Sequence, residues 1–545
     1  MSIQNPILPG FHPDPSIIRV GDDFYMATST FEWYPGLQLF HSTDLANWEL
    51  IGHPLTRLSQ LDMRGMPDSC GVWAPCLSYD KGTYYMVYCN VRSFDGPWKD
   101  TPNFMVTAPD ISGPWSDPIF LGSSGFDGSL FHDEDGRKWY VTMEVDHRGG
   151  KFFGGILLQE YDPQAEALVG PVYPIFEGTE LGKTEGPHIY QKDGYYYLLT
   201  AEGGTEYGHA VSIARSKSIT GPYEVHPEGP LMTCRDVPHN PLQKSGHGDL
   251  VQDLQGDWWL VSLVGRPLST LGRCPLGRET AIERVVWEAG AWPTLAHEGA
   301  FTRLEIPAVA SNAPRGQIAE HVDFAEDELP MTYNSLRHPI APDWCKVEDG
   351  TMKLVGRDSL SSTFEQSLVA RRVQHTGFSY EIELEFSPES FQQMAGLVCY
   401  YNTAHYYYLH IMGDEDGTSR FVNLIRTDNY RFEECLPALV PLPASGVIKL
   451  KVVWDRAQLS FFYAVAGGEW ICLSTGWDSS ILSDDYVRDG SDRYRPAFTG
   501  AFVGMACQDL TGNRKAAHFQ RASYVEDGSL HPMEEALQSF NQASY

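Results

Sequence analysis

Five residues with chemically useful side chains recur at equivalent positions in the first three hundred residues of the chain. Each lies 10 to 12 residues before an aromatic pair that opens an apolar strand, and they are Asp14, Trp73, Asp127, Glu185 and His247. Three carboxylates in one register suit acid–base chemistry, because bringing like charges together is costly unless a site uses them. Glycoside hydrolysis needs such a set, since one carboxylic acid protonates the leaving oxygen while another activates water or attacks the sugar.

The elements that must position these residues form an internal repeat. Five segments carry a polar turn followed by an aromatic pair and an apolar strand, and the turns begin at residues 21, 81, 135, 193 and 255. β-Branched and aromatic residues dominate these strands, and no 3.6-residue period is sustained. Strand–turn–strand units spaced by 54 to 62 residues are typical of propeller blades. We therefore predict five blades over residues 1–305, with their inner strands around one axis.

The remainder of the chain follows a different pattern. Residues 306–320 are rich in Pro, Ala, Ser and Gly and predict a linker. Strict alternation in FSYEIELEF, from Phe378 to Phe386, indicates strands with one buried face. The predicted fold class is all-β: a five-bladed β-propeller, the linker, and a β-sandwich of concanavalin or lectin-like jelly-roll type at 321–545. Such a sandwich fits a carbohydrate-binding module equally well. The last residues, 531–545, predict a frayed tail or a short helix.

Composition excludes several classes of partner. The 545 residues include 40 Lys and Arg but 71 Asp and Glu, and the net charge of −31 disfavours nucleic acid and membrane partners. The opening MSIQNPILPGFHPDP lacks the basic and apolar regions of a signal peptide, so we expect a cytoplasmic protein. Ten scattered cysteines without CxxC pairs predict free thiols. The motifs of serine hydrolases, zincins, kinases and dinucleotide-binding proteins are missing, and no organic cofactor is expected.

The motifs around the recurring residues resemble one enzyme family. NPILPGFHPDPSI, GVWAPCLSYDKGTYYMVY, SGFDGSLFHDEDGRKWYV, TEGPHIYQKDGYYYLLTAEGG, GHGDLV and LGRETAI are similar to the β-xylosidases of glycoside hydrolase family 43. The resemblance implies an exo-acting enzyme that releases xylose from the non-reducing ends of β-1,4-xylooligosaccharides by inversion, with α-L-arabinofuranosidase side activity. It implies a homo-oligomer, either a dimer or a tetramer. It also implies that a loop of the sandwich, carrying Phe498 or Phe502, closes the pocket of the propeller around short substrates.

The resemblance also assigns catalytic roles residue by residue. Asp14 in HPDP is similar to the family's general base, and Glu185 in TEGPH to its general acid. Asp127 in GFDGS resembles the third carboxylate, which holds the sugar and raises the pKa of the acid through its negative charge. Inversion with this pair requires the carboxyl groups of Asp14 and Glu185 to lie roughly 6.5–9.5 Å apart, because a water molecule must fit between the base and the sugar.

Four other residues are implied to bind the substrate or an ion. Arg278 in LGRETAI resembles the arginine that contacts the bound sugar, and Phe31 and Trp73 resemble the rings that line the first sugar subsite. His247 resembles an axial histidine that in relatives approaches a divalent cation, usually calcium, which would shape the site without performing chemistry. A single histidine is a poor calcium signal by itself, because hard cations prefer several oxygen ligands.

Three alternative functions remain open at this point. An α-L-arabinofuranosidase or arabinan-degrading hydrolase would use the same three carboxylates in a pocket of different shape. A non-catalytic sugar-binding propeller would not depend on Glu185. A retaining propeller of the fructosidase type would carry its nucleophile in a motif such as NDPNG near the N-terminus, where this chain has HPDPS.

Overall fold

The structure, a computed structural model, describes residues 1–308, 310–311, 319–489 and 496–527. The chain divides into two compact units. The first comprises the described residues of Met1–Met63, Ser69–Leu271 and Arg278–Ala313, and the second those of Arg64–Asp68, Gly272–Gly277 and Pro314–Tyr545. Part of the predicted linker and all of the predicted tail at 531–545 lie outside the described residues.

The described residues of the first unit form strands and one 3₁₀ turn, Arg148–Gly150. The strands in chain order are β1 (Ser2–Gln4), β2 (Ser16–Val20), β3 (Asp23–Thr28), β4 (Trp33–Tyr34), β5 (Gln38–Ser42), β6 (Glu49–Gly52), β7 (Gly71–Val72), β8 (Cys76–Asp80), β9 (Thr83–Val91), β10 (Asn103–Ala108), β11 (Ile119–Gly122), β12 (Ser129–His132), β13 (Lys138–Val145), β14 (Phe153–Asp162), β15 (Ala167–Phe176), β16 (Glu185–Lys192), β17 (Tyr195–Glu202), β18 (Ala210–Ser216), β19 (Glu224–Val225), β20 (Met232–Thr233), β21 (Gln243–Gln252), β22 (Trp258–Gly265), β23 (Glu279–Val286), β24 (Thr294–Leu295) and β25 (Glu305–Pro307).

All of these strands except β1, β4 and β25 form five antiparallel sheets that succeed one another along the chain. The sheets are β2-β3-β5-β6, β9-β10-β11 with β7 and β8 both paired to β9, β12-β13-β14-β15, β16-β17-β18-β19 with β20 paired to β18, and β21-β22-β23-β24. The first strands, β2, β8, β12, β16 and β21, contact each other in that order, and β21 also contacts β2. The ring is therefore closed, and the predicted five-bladed β-propeller is confirmed.

Two kinds of contact hold the ring of blades closed: apolar packing between the first and fifth blades, and backbone pairing of the strands β1 and β25. Ile17 and Phe24 of the first blade pack in one core with Trp259 and Val261 of the fifth blade, so burial of apolar surface holds the two ends of the ring together. Strand β1 pairs antiparallel with β25, with Ser2 opposite Pro307. The aromatic pairs of the repeat thus serve mainly as packing between blades.

The second unit contains two larger antiparallel sheets, a 3₁₀ turn at Ser479–Ile481 and the six-residue helix α1, Asp484–Asp489. Its strands are β26 (Ala319–Val322), β27 (Tyr333–Leu336), β28 (Cys345–Glu348), β29 (Thr351–Val355), β30 (Ser367–Arg372), β31 (Gly377–Glu385), β32 (Gln393–Asn402), β33 (His405–Gly413), β34 (Arg420–Asp428), β35 (Arg431–Glu434), β36 (Val440–Leu442), β37 (Ile448–Asp455), β38 (Gln458–Val465), β39 (Ile471–Asp478), β40 (Phe502–Asp509) and β41 (Ala516–Glu526).

One sheet of this unit has the order β28-β29-β41-β31-β37-β38-β39, with β26 also paired to β41. The other has the order β35-β34-β33-β32-β40-β30-β27, with β36 paired to β34. Phe378 and Ile382 of β31 share a core with Leu397 and Leu409 of the opposite sheet, which makes the unit a β-sandwich, as predicted. Among the described residues, no helix is long and apolar enough to cross a bilayer.

The second unit also takes in two short segments from the earlier part of the chain. In the segment Arg64–Asp68, the carboxylate of Asp68 lies 2.8 Å from Nη2 of Arg337, and Nε of Arg337 donates to the carbonyl of Met66 over 2.8 Å. Thr403 donates its hydroxyl to Asp68 as well. A domain boundary drawn at one point in the sequence would therefore assign Arg64–Asp68 to the wrong unit.

Candidate active site

The predicted site residues lie at the beginnings of the inner strands of the propeller. Asp14 precedes β2 by two residues, Asp127 precedes β12 by two and Trp73 precedes β8 by three, while Glu185 opens β16 and His247 lies within β21. Four of these side chains are buried, and Glu185 is half-buried. The repeat therefore brings the five residues to one end of the propeller, as their common register predicts.

The backbone is left-handed at three of these positions, although none of them is a glycine. The φ angles are 54° at Asp14, 54° at Asp127 and 43° at His247. A non-glycine residue in this region costs on the order of 1–3 kcal/mol, and such residues cluster at functional sites where the surroundings fix their geometry. Asp14 and Asp127 lie just before their inner strands, and His247 lies at an irregularity within β21, between Gly246 and Gly248.

Asp14 is held as an ionised carboxylate. Arg278 donates from Nη1 to Oδ1 over 2.9 Å, and Ser29 donates its hydroxyl to Oδ2 over 2.7 Å. Burial alone would raise the pKa of Asp14, but the charge of Arg278, together with His247 and the Ser29 hydroxyl, outweighs it and lowers the pKa below its usual value. Asp14 is consequently a proton acceptor at neutral pH.

Glu185 has the opposite electrostatic environment. Burial, followed by the negative charge of Asp14, raises the pKa of Glu185 to about 8, although Arg278 and Lys183 counteract this. The pKa of Asp127 is also raised, first by burial and then by the charges of Glu185 and Asp14. The family resemblance predicts that Asp127 raises the pKa of the acid. In the structure, the pKa of Glu185 is raised mainly by burial and by the charge of Asp14. Glu185 is protonated at neutral pH and can donate a proton.

Two buried histidines complete the polar part of the site, and both are neutral. Burial lowers the pKa of His247 to about 4 and that of His209 to about 3. Nδ1 of His247 lies 3.9 Å from an oxygen of Asp14 and 3.9 Å from an oxygen of Asp127, so the ring occupies the space between these carboxylates. A Cβ atom on Gly186 would approach this ring to 2.9 Å, and the glycine after Glu185 therefore leaves room for His247.

Aromatic rings form one wall beside the carboxylates. The Phe31 ring centroid lies 5.9 Å from that of Trp73 and 5.2 Å from the guanidinium carbon of Arg278. Trp73 in turn packs on Phe94 at 4.7 Å and on Phe126 at 5.1 Å. The two predicted ring residues and the predicted arginine are thus brought together, and Arg278 joins this wall to Asp14.

The donor set near the axis does not fit a calcium ion held by protein ligands. Within the part of the chain that the structure describes, no three His, Cys, Asp or Glu side chains are grouped so that they could hold a metal ion. His247 offers a single imidazole nitrogen, whereas Ca²⁺ takes six to eight oxygen ligands. Calcium at His247 remains a prediction, and no chemical step below depends on it.

Sequence reasoning missed several residues that contact this site. Ser29 and Thr205 bond to Asp14 and Arg278, with Thr205 Oγ1 at 3.2 Å from Nη1 of Arg278. Nδ1 of His209 donates to the backbone carbonyl of Lys244 over 3.2 Å. Ser29, Thr205 and His209 each follow the second strand of a blade. In an antiparallel blade the end of the second strand lies beside the beginning of the first, where the carboxylates are. The repeat could therefore have indicated these positions.

The two candidate pocket residues of the sandwich have different surroundings. Phe502 opens β40, is fully buried, and lies opposite Arg372 in the sheet. Phe498 precedes that strand, and the guanidinium carbon of Arg488 lies 5.4 Å from its ring centroid. A role for either ring in the pocket remains a prediction.

A carboxyl group that is ionised and a second one that is protonated, at the same end of the propeller, are the pair that glycoside hydrolysis requires. Residues 3–293 match the glycosyl hydrolases family 43, and residues 321–525 match the β-xylosidase C-terminal concanavalin A-like domain. The chain therefore belongs to glycoside hydrolase family 43, and its second unit is a concanavalin A-like sandwich.

Individual relatives cover almost the whole chain. It is 47% identical over 527 residues to xylosidase/arabinosidase 43B of Humicola insolens, covering 96% of this chain and 97% of the relative. It is 45% identical over 540 residues to a β-xylosidase of Bacillus subtilis, covering 96% and 100%. The crystal structure of xylan β-1,4-xylosidase from Bacillus halodurans C-125 is similar with a TM-score of 0.92 and 48% identity, covering 96% of this chain and 100% of that one.

Proposed function

We propose that this protein is an exo-acting, inverting β-1,4-xylosidase that releases xylose from the non-reducing ends of xylooligosaccharides. The observation that carries the proposal is the opposite perturbation of two carboxyl groups in one site. The pKa of Asp14 is lowered, whereas that of Glu185 is raised to about 8. Titratable groups whose environments separate their pKa values in this way are suited to act as base and acid.

In the proposed mechanism Asp14 and Glu185 each move one proton. Asp14 removes a proton from a water molecule as the water oxygen attacks the anomeric carbon. Glu185 gives its proton to the glycosidic oxygen as that bond breaks, so xylose leaves with inverted configuration. Asp127 holds the sugar and is assigned no proton transfer. Phe31 packs against the sugar face together with Trp73, while Arg278 binds a sugar hydroxyl and keeps Asp14 ionised.

The choice of xylose is supported by the names of relatives that cover nearly all of the chain. The Bacillus subtilis relative is called a β-xylosidase, and the Bacillus halodurans structure a xylan β-1,4-xylosidase. The three carboxylates by themselves do not select a pentose, because a hydrolase of arabinofuranosides would use the same set. Substrate preference consequently rests on this similarity.

Proton NMR of early xylobiose hydrolysis tests the mechanism directly. Inversion predicts that the xylose released from the non-reducing end is the α anomer, so the early α fraction exceeds its equilibrium value and falls later by mutarotation. If the early excess is of the β anomer, Asp14 acts as a nucleophile and the assignment of a general base is wrong. If no xylose is released, the substrate assignment is wrong.

α-L-Arabinofuranosidase activity is the second candidate function. It is favoured by the Humicola insolens relative, whose name includes both xylosidase and arabinosidase. Comparison of kcat/KM for 4-nitrophenyl β-D-xyloside and 4-nitrophenyl α-L-arabinofuranoside would rank the two activities. A higher value for the arabinofuranoside would reverse the order proposed here.

Location, assembly and ion binding complete the proposal. The ten cysteines are thiols rather than disulfide partners, and eight of them are buried, which supports a reducing, cytoplasmic environment. A dimer or tetramer is proposed from the family resemblance, and light scattering of the purified protein would measure its molar mass in solution.

Elemental analysis before and after EDTA treatment would test for calcium near His247. Domain boundaries at 305 and 321 are proposed from the sequence pattern.

A further inference from the structure

A fully buried glutamate, Glu202, lies beside the strand that carries Glu185. It ends β17, and its side chain has no exposed surface. Its neighbour Ala201 is paired with Glu185 across the antiparallel ladder of β16 and β17. Glu202 is therefore next to Thr184, the residue immediately before Glu185. The mechanism described above gives Glu202 no role.

The carboxylate of Glu202 accepts hydrogen bonds from three residues. Its Oε1 atom accepts from the backbone N–H of Thr179 over 2.7 Å and from the Thr184 hydroxyl over 2.8 Å. Its Oε2 atom accepts from the Ser212 hydroxyl over 2.7 Å and from the Thr179 hydroxyl. Four donors fill the four acceptor positions of a carboxylate. The side chain thus joins strand β18 to both ends of the segment 179–184.

The chain leading to Glu185 is closely packed around this carboxylate. Gly178 has a φ of +95°, and a Cβ atom there would lie 2.0 Å from the Thr184 hydroxyl oxygen and 3.2 Å from Oε1 of Glu202. The N–H of Gly203 donates to the carbonyl of Gly182 over 2.8 Å, which ties the same segment to the residue after Glu202. A side chain at position 178 would therefore collide with the Thr184 hydroxyl that donates to Glu202.

We propose that Glu202 is a positioning residue that acts through Thr184 to hold Glu185 in the orientation needed to protonate the glycosidic oxygen. This inference rests on the proposed function, because it assumes that Glu185 is the general acid. Small displacements of a group that must align with a reacting atom are expensive, and a misplacement of about 1 Å can cost about a hundredfold in rate. The hydrogen bonds of Glu202 restrict such displacements at the residue adjacent to the acid.

Two substitutions at Thr184 separate the hydrogen bond from the packing. Thr184→Val removes the hydroxyl and keeps the branched shape, while Thr184→Ser keeps the hydroxyl. Turnover of xylobiose requires a proton from the acid, whereas 2,4-dinitrophenyl β-xyloside has a leaving group that departs without one. We expect Thr184→Val to lower kcat on xylobiose by about tenfold or more and kcat on the dinitrophenyl xyloside by less than about threefold. Thr184→Ser is expected to keep both values within about twofold of the wild type.

A second pair of substitutions tests Glu202 itself. In Glu202→Gln the amide oxygen still accepts from Thr179 N–H and Thr184, and the amide nitrogen donates to the two remaining hydroxyls, which can rotate. Glu202→Leu removes every one of these bonds. We expect Glu202→Gln to preserve the ratio of the two kcat values and Glu202→Leu to change it in the same direction as Thr184→Val. Thermal unfolding checks that each variant is folded, and if Glu202→Leu is not, the Thr184 pair decides the matter.

The positioning role of Glu202 and the proposed function are contradicted by different experimental results. A folded Thr184→Val variant that slows both substrates equally, or neither, overturns the positioning role. A shift in the basic limb of the pH profile of Glu202→Gln also overturns it, because that would indicate an electrostatic effect of the charge. A wild-type protein that hydrolyses neither xyloside refutes the proposed function instead.

Discussion

Arg278 donates a hydrogen bond to Asp14 over 2.9 Å, although 264 residues separate the two in sequence. Asp14 leads into the inner strand of the first blade, and Arg278 immediately precedes β23 of the fifth blade. The proposed base and the cation that keeps it ionised therefore come from opposite ends of the propeller sequence. Assembly of the site and closure of the ring depend on each other.

Removal of the Arg278 charge is predicted to make Asp14 harder to ionise. In Arg278→Met, burial is no longer outweighed by the guanidinium, so the pKa of Asp14 rises. Asp14 must be ionised to accept a proton, and the acidic limb of kcat/KM against pH is expected to move to higher pH. Arg278→Lys, which keeps a positive charge, serves as the control and should move the limb less. An unmoved limb in Arg278→Met would show that another group controls it.

Loss of the Asp14 carboxylate is predicted to slow every xyloside. We expect Asp14→Asn to reduce kcat by more than about a hundredfold, because a positioned general base contributes about 10²–10⁴ in rate. The loss should be similar for xylobiose and for 2,4-dinitrophenyl β-xyloside, since activation of water is needed whatever the leaving group. Steady-state rates on both substrates measure this. Near-normal rates would remove Asp14 from the mechanism.

The raised pKa of Glu185 predicts the basic limb of the pH profile. Burial and Asp14 raise this pKa to about 8, and the acid works only while it is protonated. Hydrolysis of xylobiose is therefore expected to decline as the pH rises through about 8. Glu185→Gln should cost more than about a hundredfold on xylobiose and much less on the dinitrophenyl xyloside, with no such limb on the latter. A limb that persists in Glu185→Gln would belong to another group.

The same raised pKa predicts that Glu185 destabilises the folded protein at alkaline pH. Between the ordinary pKa of a glutamate and about 8, the folded state holds a proton that the unfolded state has lost, so stability falls as the pH rises. Glu185→Gln removes this dependence. The melting temperature of Glu185→Gln should exceed that of the wild type by a larger margin at pH 9 than at pH 5, as measured by calorimetry. An equal margin at both pH values would contradict the shift.

The sequence was sufficient to predict the repeat and the register of the site, because each blade must bury an aromatic pair and start its inner strand at the same end. Trp73, Asp127 and Glu185 lie where this register requires. The pKa shifts of the carboxyl groups were not predictable in the same way. The burial of Asp14 and its hydrogen bond from Ser29 arise from tertiary packing, which the repeat does not show. The membership of Arg64–Asp68 in the second unit likewise depends on side-chain contacts that no periodicity records.

The pairing of β1 with β25 sets a condition on how the chain folds during synthesis. Ser2 lies opposite Pro307, so the first strand has no partner until about three hundred further residues have been translated. At about 5–20 residues per second this delay is roughly 15–60 seconds. The apolar side of the first blade is uncovered for most of that interval, because Ile17 and Phe24 pack on Trp259 and Val261 of the fifth blade. Cellular chaperones would protect this blade during the wait, and slower translation of the later blades would lengthen its exposure to aggregation.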